Sequence, residues 1–533
     1  MALVSHKLPN VAKAGVIMML SLLLSRVLGI VRDMIMAWKF GQGAETDAYV
    51  LSFQLPDLLF FLIAGGALSS AFIPVFSEFL HTGRERQAWK LFSVVVTVMS
   101  IAVTAFVVIA FIFAEPMMRL FAPNAPAEQL PLIAQMSRIL LPAQFAFFIG
   151  GIMFGTLYSR QVFSVPGLAP NIYNLGIIFG ALVLSNFVVP GVMGMSWGAL
   201  IGASIGNLVI PLFALRKLGA DFRPSLDIKD EAVRKVFRLM LPVILGLSLP
   251  GVYAMIMRGF GTAYEAGIVT ALDYSNKLMQ APLGVFGQSL AIAVFPALTQ
   301  FFAQDRMDQY RLQLAATLRT VLYITLPISA LMFVLSPQIV QLAFERGKFT
   351  HLDTLETADC LRMFSLGIFA WCLHPVLMRG FFSIQSTRTP IILGTVTTAL
   401  FVGLVLVLRE TSLGYRALPL ASSIAATVMV VMLMLAIRRQ AGGLDLESVA
   451  LTFMRGSIAA VLAASAVYGG LLLWPQEFTS GTFPLVFQVF GLGLLGAWMY
   501  YGLTRLMKMP ETTTVNRVLG RMSRSRQDDQ DIS

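Results

Sequence analysis

Long apolar runs separated by short polar loops recur along the whole chain. The first, from about Val11 to Ala37, exceeds the roughly 20 residues that carry a helix across a bilayer. We predict fourteen spans, and the longest runs indicate tilt or extension beyond the hydrocarbon. Their approximate bounds are 11–37, 47–79, 89–114, 131–158, 167–188, 194–215, 237–257, 265–302, 312–335, 357–383, 389–408, 417–437, 450–473 and 484–506.

Charged residues interrupt the first of these runs, where the chain reads S-R-V-L-G-I-V-R-D from Ser25 to Asp33. One arginine at mid-bilayer costs about 2.5–3.5 kcal/mol on insertion scales, so such residues usually face a partner or a water-filled cavity. Helical spacing places Ser25 with Arg32, and Arg26 with Asp33, on nearly the same side. The pattern predicts a polar cavity bordered by both arginines. The alternative is a structural cluster in which Asp33 or Asp47 neutralises them.

Composition supports the membrane interpretation. The 533 residues are 57% hydrophobic and 13% charged, with a mean hydropathy of +0.77, which indicates a polytopic, all-α membrane protein. The net charge of +11 resides in short loops and the C-terminal tail, so it is a topology signal and does not indicate a nucleic-acid surface. Cys360 and Cys372 have neither zinc nor disulfide spacing. We predict no metal, no cofactor and no enzymatic activity.

Loop charges predict the orientation. With a cytoplasmic N-terminus, the cytoplasmic segments collect about 25 Lys and Arg residues and the opposite side about 7. The most basic loop runs from Arg216 to Arg238, and the tail beginning at Arg505 falls on the same side. Both termini are therefore predicted to be cytoplasmic, with a mobile charged tail from about Pro510.

The chain also repeats itself. Asp47 to Pro56 reads D-A-Y-V-L-S-F-Q-L-P, and Asp273 to Pro282 reads D-Y-S-N-K-L-M-Q-A-P, so Asp, Gln and Pro keep their spacing. Two further matches follow at offsets of about 222–226 residues. Because six spans separate the copies, the repeats are parallel, which is a transporter architecture with a site at the repeat interface. We predict lobes at 1–220 and 221–440, two additional spans at 441–509 and a tail at 510–533.

Span 6 carries glycines at every fourth position. Gly194, Gly198, Gly202 and Gly206 fall on one face of a helix. Small residues at this spacing let a second helix approach closely. We therefore predict a tight helix pair at this face.

Span 8 contributes polar residues of its own. Asn276, Lys277 and Gln280 lie in otherwise apolar sequence. Together with the arginines of span 1, Lys277 would complete an anion-attracting cavity supplied by both repeats. Alternatively, Lys277 extends to a membrane interface. Arg258 and Lys39, at predicted outer ends of spans, are interpreted as anchors.

The ligand that this pattern predicts has an anionic head group. If it also has a lipid tail, that tail needs an apolar path out of the protein. Spans 13 and 14 lie outside the two repeats and carry few charges, so they are candidates to line a groove for it.

Several motifs resemble the MurJ (MviN) family. They are S-R-V-L-G-I-V-R-D (25–33), F-G-x-G-x-x-T-D-A (40–48), L-P-D-L-L (55–59), G-A-L-S-S-A-F-I-P (66–74) and F-E-R-G-K-F-T (344–350). This family comprises lipid II flippases of the multidrug/oligosaccharidyl-lipid/polysaccharide exporter group. The resemblance implies a bacterial inner-membrane protein that moves lipid II to the periplasmic leaflet by alternating access. It implies that Arg26 and Arg32 hold the head group and that Asp47 and Lys277 match family positions.

The chain departs from the family in span 2. Many relatives read K-L-P-N-L-L-R-R-x-x-A-E-G across 54–66, whereas this chain has Gln54, Asp57, Phe60, Phe61 and Gly65 at the informative positions. In span 8 the common A-D-R-L-x-E-x-P becomes S-N-K-L-M-Q-A-P (275–282). Acidic and basic residues are thus lost together. Replacing both members of a buried ion pair can leave stability nearly unchanged, whereas removing only one member is costly.

These observations predict a lipid II flippase. Arg26, Arg32 and Lys277 would bind the diphosphate, with Ser25, Asn276 and Gln280 as further polar contacts. Asp33 and Asp47 would pair with cations during gating. Partners are the lipid-linked substrate and membrane lipids, without nucleic acid, and the protein is expected to be monomeric. The alternatives are an exporter of another polyprenyl-linked saccharide and a cation-coupled small-molecule antiporter. A membrane glycosyltransferase would need a larger outer loop.

Overall fold

The computed structural model describes residues 8–60, 67–474 and 481–513, with the backbone alone at 8–17, 67–70 and 241–252. These residues form helices and loops without a β-strand, which confirms the all-α prediction. The α-helices, numbered α1 to α21 in order, are Leu8–Phe40, Ala44–Ser52, Gln54–Leu59, Ala67–His81, Glu85–Ile112, Ala114–Phe121, Leu130–Ser159, Ser164–Leu182, Met193–Ala203, Ile210–Lys217, Glu231–Gly261, Ile268–Pro282, Gln288–Ala303, Met307–Val334, Ser336–Phe344, His351–Ser365, Ile368–Ser383, Arg388–Leu408, Ala417–Gln440, Leu446–Leu472 and Thr482–Leu506.

Ten helical segments within the described residues are long and apolar enough to cross a membrane. An eleventh is counted when α16 and α17, bent by 48° at their junction, form one span. A multi-pass membrane protein is therefore confirmed, whereas the number of fourteen stays a prediction.

Several predicted spans are interrupted helices. The span predicted at 265–302 consists of α12, a π-helical segment Leu283–Gly287 and α13. The interruption follows Pro282, whose missing N–H removes one helical hydrogen bond. The span predicted at 47–79 divides into α2, α3 and α4, with residues 61–66 outside the described part. Such breaks change the direction in which the following side chains point, compared with a continuous helix.

The chain forms two compact units. The first comprises Met1–Thr270 together with the short segment Arg346–Thr350, and the second comprises Ala271–Glu345 with His351–Ser533, as far as these are described. This division follows packing, whereas the lobes at 1–220 and 221–440 were inferred from the repeat. Those lobe boundaries stay a prediction.

The glycine face of α9 packs tightly on α8, as predicted. A Cβ atom at Gly198 would lie 2.2 Å from the carbonyl oxygen of Gly176, and one at Gly194 would lie 2.7 Å from that of Gly180. Neither distance is compatible with a real side chain, so glycine is required for this approach. The contact fixes the position of α8, which carries the asparagines described below.

The beginning of the predicted tail is packed against the second unit. Glu511 is 4% exposed, and its Oε1 atom accepts hydrogen bonds from Arg319 Nε at 2.7 Å and Thr452 Oγ1 at 3.0 Å. The mobile tail was predicted from about Pro510, so its first residues are instead held by α14 and α20. The remainder, 514–533, lies outside the described residues.

Candidate substrate-binding site

A polar network joins α1 to α8 inside the first unit. Asn174 Nδ2 donates to the Ser25 carbonyl oxygen at 3.2 Å and to its hydroxyl at 3.3 Å. The Oδ1 atom of Asn174 accepts a hydrogen bond from Arg32 Nη1 at 3.1 Å. One turn away, Asn171 Nδ2 donates to Ser21 Oγ at 2.7 Å. Two asparagines of α8 thus hold the polar face of α1.

Asp33 is the acidic partner of Arg32. Its Oδ1 atom lies 2.9 Å from Arg32 Nη2 and 3.0 Å from Arg32 Nε. The side chains are 8% and 20% exposed respectively, so the pair is largely withdrawn from the surface. This arrangement neutralises Arg32 in part, as the structural alternative predicted, while an arginine retains more donors than one carboxylate can accept.

Arg26 has a different environment from Arg32. Its side chain is exposed, and no hydrogen bond or ion pair joins it to another described residue. Sequence spacing placed Arg26 with Asp33, but the carboxylate binds the adjacent Arg32. The two arginines therefore differ in their contacts, since Arg32 is paired with Asp33 and Asn174 and Arg26 is exposed.

Asp47 is buried, with 4% of the residue exposed. Its Oδ2 atom accepts from the Gly267 backbone N–H at 2.6 Å, and its Oδ1 atom accepts from the Thr270 N–H at 2.7 Å and the Thr270 hydroxyl at 2.6 Å. These groups lie at the start of α12, where unpaired N–H groups and the helix dipole favour an anion. In this conformation Asp47 therefore binds a helix N-terminus. Its pairing with an arginine stays a prediction for another conformation.

The segment Arg346–Thr350 packs on the turn that precedes Asp47. Lys348 N–H donates to the Trp38 carbonyl oxygen at 2.9 Å. Gly41 and Gly347 both have positive φ, at 73° and 63°. A Cβ atom at Gly347 would lie 2.3 Å from the Trp38 oxygen, and one at Gly41 would lie 2.8 Å from the Lys348 oxygen. Two family motifs, F-G-x-G and R-G-K-F-T, thus meet through their backbones.

The predicted residues of span 8 lie together on α12, in the second unit. Lys277 Nζ is 2.7 Å from Asp273 Oδ2, four residues earlier, and 5.9 Å from the centre of the Tyr274 ring. Gln280 Nε2 donates to Asn276 Oδ1 at 3.3 Å. Lys277 is thus paired with an acid of its own helix, and its extension to a membrane interface stays an open alternative. A cavity shared by Lys277 and the arginines of α1 stays a prediction.

An apolar groove of about 560 Å³ lies in the second unit between α14, the α16–α17 bend and α20. Its walls include Leu326, Phe333, Phe369, Phe453 and Val461. Because α20 corresponds to predicted span 13, that span lines an apolar groove, and its use by a lipid tail stays a prediction. None of the groove residues belongs to α21, the helix of span 14.

Several polar residues of these sites were missed by the sequence reasoning. Asn171 and Asn174 stand three residues apart in the apolar run P-N-I-Y-N, the same kind of signal that identified Lys277. Thr270 carried no such signal. Arg258 and Lys39 were interpreted as anchors at the ends of spans, and that role stays a prediction for both. In the structure Arg258 binds Asp57 at 3.0 Å, and Lys39 Nζ binds Ser185 Oγ at 2.6 Å near the end of α8.

Comparison with known proteins identifies the family and several relatives of this chain. A family model described as "Lipid II flippase MurJ" matches residues 36–489. This chain belongs to the MurJ family. Its relatives include two proteins named "Probable lipid II flippase MurJ". The protein from Vibrio cholerae serotype O1 is 28% identical over 479 residues, covering 87% of this chain and 89% of the relative. The protein from Buchnera aphidicola subsp. Acyrthosiphon pisum is 28% identical over 383 residues, covering 72% and 75%.

Solved structures support the MurJ fold. The structure titled "Lipid II flippase MurJ, inward closed conformation" matches with a TM-score of 0.76 at 23% identity, covering 92% of this chain and 98% of that one. An inward-facing multidrug resistance MATE family transporter of the MOP superfamily matches with a TM-score of 0.66 at 16% identity, covering 80% and 98%. The chain therefore shares its fold with these two structures, and the family to which it belongs is one of flippases and not of enzymes.

Proposed function

We propose that this protein moves lipid II from the cytoplasmic to the periplasmic leaflet of a bacterial inner membrane by alternating access. Both termini lie in the cytoplasm in this proposal, as the loop charges predict. The observation that carries it is the family match, which runs from the last turn of α1, at residue 36, into the start of α21, at residue 489. The pair of Arg32 and Asp33, which precedes the matched residues on α1 and is largely withdrawn from the surface, adds a chemical basis.

The head group binds the cations of α1 and α12 in this proposal. A diphosphate offers several oxygens, and the arginine guanidinium matches them with two parallel N–H···O bonds. Arg26, which is exposed, makes the first contact, and Arg32 exchanges Asp33 for phosphate oxygens. Lys277 adds a compact charge, while Ser25, Asn276 and Gln280 supply neutral polar contacts.

The polyprenyl tail occupies the apolar groove of the second unit. The groove is lined mainly by aliphatic and aromatic side chains, with four serines among its fifteen lining residues. Burial of each methylene group contributes about 0.8 kcal/mol, so even part of a long tail would add substantially to binding. The charged site then determines orientation, and the groove determines that only lipid-linked molecules are retained.

Asp47 acts as a gating residue in this mechanism. Its carboxylate holds the N-terminus of α12, the helix that carries Lys277. Release of these hydrogen bonds would free the first turn of α12 from Asp47. We propose that the opposite conformation satisfies Asp47 through an arginine.

Exposure of lipid II on the outer leaflet tests the proposal. The protein is expressed in bacteria depleted of their own flippase, which are then treated with an external enzyme that cleaves lipid II. We expect restored cleavage with the wild-type chain. Loss of one charge-assisted contact in Arg32→Ala, worth about 1.5–3 kcal/mol, should reduce the initial rate by about 10- to 100-fold.

The control variant is Arg119→Ala, because Arg119 is 66% exposed and pairs only with Glu115 on its own helix among the described residues. It should support a wild-type rate at equal insertion. Normal cleavage by Arg32→Ala would contradict the proposed head-group site. No cleavage by a well-inserted wild-type chain would favour another polyprenyl-linked saccharide, which the altered residues Gln54 and Asp57 permit.

A further inference from the structure

The segment that follows α21 is docked between two helices of the second unit. Glu511 Oε1 accepts a hydrogen bond from Arg319 Nε on α14 at 2.7 Å and another from Thr452 Oγ1 on α20 at 3.0 Å. Met509 and Thr512, on either side of Glu511, are buried as well. A single carboxylate therefore joins side chains of α14 and α20.

A second set of contacts joins the same helices one turn further along. The Tyr323 hydroxyl of α14 lies 3.0 Å from Thr504 Oγ1 of α21, and its ring centre lies 5.3 Å from that of Tyr500. On α20, a Cβ atom at Gly456 would lie 3.3 Å from the Tyr500 hydroxyl and 2.8 Å from Leu326 Cδ1. The three helices α14, α20 and α21 are therefore in close contact at this level.

These contacts lie at one end of the apolar groove. Leu326 and Phe453 are the first groove residues of α14 and α20, and Phe453 directly follows Thr452 in the chain. The Phe453 ring centre lies 5.2 Å from that of Phe369 on α17, which forms another wall of the groove. A shift of Thr452 would therefore move the first aromatic residue of the α20 wall.

Helix packing alone gives an incomplete reason for an acid at position 511. The Oε2 atom of Glu511 is buried without a hydrogen-bond partner among the described residues, and so is the Tyr500 hydroxyl. Apolar side chains of similar volume often hold such a contact as well as a buried ion pair does. Residue 511 also lies beyond the residues matched by the family model, which end at 489.

We propose that Glu511 is a positioning residue for the lipid tail, because it holds α14 and α20 at the spacing that the groove requires. This inference rests on the proposed function, in which the groove binds the polyprenyl tail. A long tail gains affinity from apolar contact along its whole length, whereas a short tail makes few such contacts. Loss of the Glu511 contact should therefore weaken the binding of long tails selectively.

Two ligands with the same head group measure this selectivity on the purified full chain in nanodiscs. Undecaprenyl diphosphate has a long tail, and farnesyl diphosphate has a short one. We expect Glu511→Ala to raise the Kd of undecaprenyl diphosphate about 10-fold, equivalent to about 1.4 kcal/mol, and to leave that of farnesyl diphosphate within about 2-fold. Glu511→Gln keeps an acceptor oxygen at the same place, so it should raise the Kd of the long ligand by only about 3-fold.

Thr452→Val separates positioning from folding. It keeps the side-chain volume and the ion pair of Glu511 with Arg319, and it removes only the bond to α20. The Kd of undecaprenyl diphosphate should rise about 3-fold, as expected for loss of one hydrogen bond. Asp308→Ala is the matched control, because Asp308 is an exposed acid of α14 that pairs with Arg311 on its own helix. It should bind both ligands as the wild type does.

The outcomes separate this inference from the proposed function. Equal weakening of both ligands by Glu511→Ala, or an unchanged Kd of undecaprenyl diphosphate in the well-folded variant, would overturn the inference alone. Where Glu511→Ala does not fold, Thr452→Val decides, and an unchanged Kd of the long ligand would overturn the inference. A wild-type chain that binds neither ligand, or binds both equally well, would instead contradict the lipid-tail binding of the proposed function.

Discussion

Asp47 and Asp273 occupy equivalent positions of the internal repeat but bind different partners. Each is the first residue of a ten-residue stretch that continues with the same Gln and Pro spacing. The Asp47 carboxylate accepts hydrogen bonds from the start of α12. The Asp273 carboxylate instead lies 2.7 Å from Lys277 on its own helix.

The residue four positions later explains the difference. Asp273 is followed at that distance by Lys277, whose side chain can reach back along the helix. Asp47 is followed there by Leu51, which is 1% exposed and offers no charge. The first aspartate therefore finds its partners on another helix. One repeat position thus became a contact between helices in one unit and a local ion pair in the other.

The largest effect is expected from Asp47→Ala. The substitution leaves the Gly267 and Thr270 amides without their acceptor in a buried site, which should lower the free energy of unfolding by about 3 kcal/mol. Thermal unfolding of the purified protein measures the loss, and lipid II exposure should fall to background. Glu45→Ala, an exposed acid of the same helix, is the control. Equal effects at both positions would show that the contacts of Asp47 have no special role.

Lys277→Ala should affect transport more than stability. Asp273 loses its partner, but the exchange of lysine for alanine removes a surface-accessible cation that is 37% exposed. We expect a roughly 10-fold lower exposure rate, equivalent to about 1.4 kcal/mol, with Lys277→Arg close to wild type. If restoring charge neutrality with Asp273→Asn also restored transport, Lys277 would serve the pair and not the substrate.

Gly347→Ala tests the segment that packs beside Asp47. The alanine would have to adopt a φ of 63°, and its Cβ atom would lie 2.3 Å from the Trp38 oxygen. We expect this strain to lower local stability by about 1–3 kcal/mol. Faster hydrogen exchange at the Lys348 amide, which binds that oxygen, reports the change. Gly43→Ala is the control, because its φ of 178° is extended and nothing lies within 4 Å of an added Cβ. Unchanged exchange in Gly347→Ala would refute the close approach.

The smallest effect is expected from Thr270→Val. This change removes the hydroxyl that donates to Asp47 at 2.6 Å while keeping the backbone donor. One hydroxyl donor to a carboxylate should account for about 1.5 kcal/mol, the lower end of the range for bonds to charged groups, measured as a lower melting temperature. Thr270→Ser keeps the hydroxyl and should remain near wild type. A loss as large as that of Asp47→Ala would mean that the hydroxyl, and not the amides, holds the carboxylate.

The sequence by itself determined the helical, multi-span architecture, the tight packing at Gly198 and the family. These follow from short-range rules, because a bilayer sets span length and helical periodicity sets which residues share a face. It also identified Arg32, Asp47 and Lys277 as costly polar residues in apolar runs. Sequence alone identifies those positions, because a charged residue within a long apolar run is costly to place in a membrane.

Only the tertiary structure decided which groups these residues bind. Asn174 lies 142 residues from Arg32 in sequence, and Arg258 lies 201 residues from Asp57. Asp33 binds its neighbour Arg32 although helical spacing favoured Arg26. A hydrogen bond depends on distance and direction to within tenths of an ångström. Helix breaks, close glycine contacts and packing set that geometry, and no local pattern in the chain encodes it.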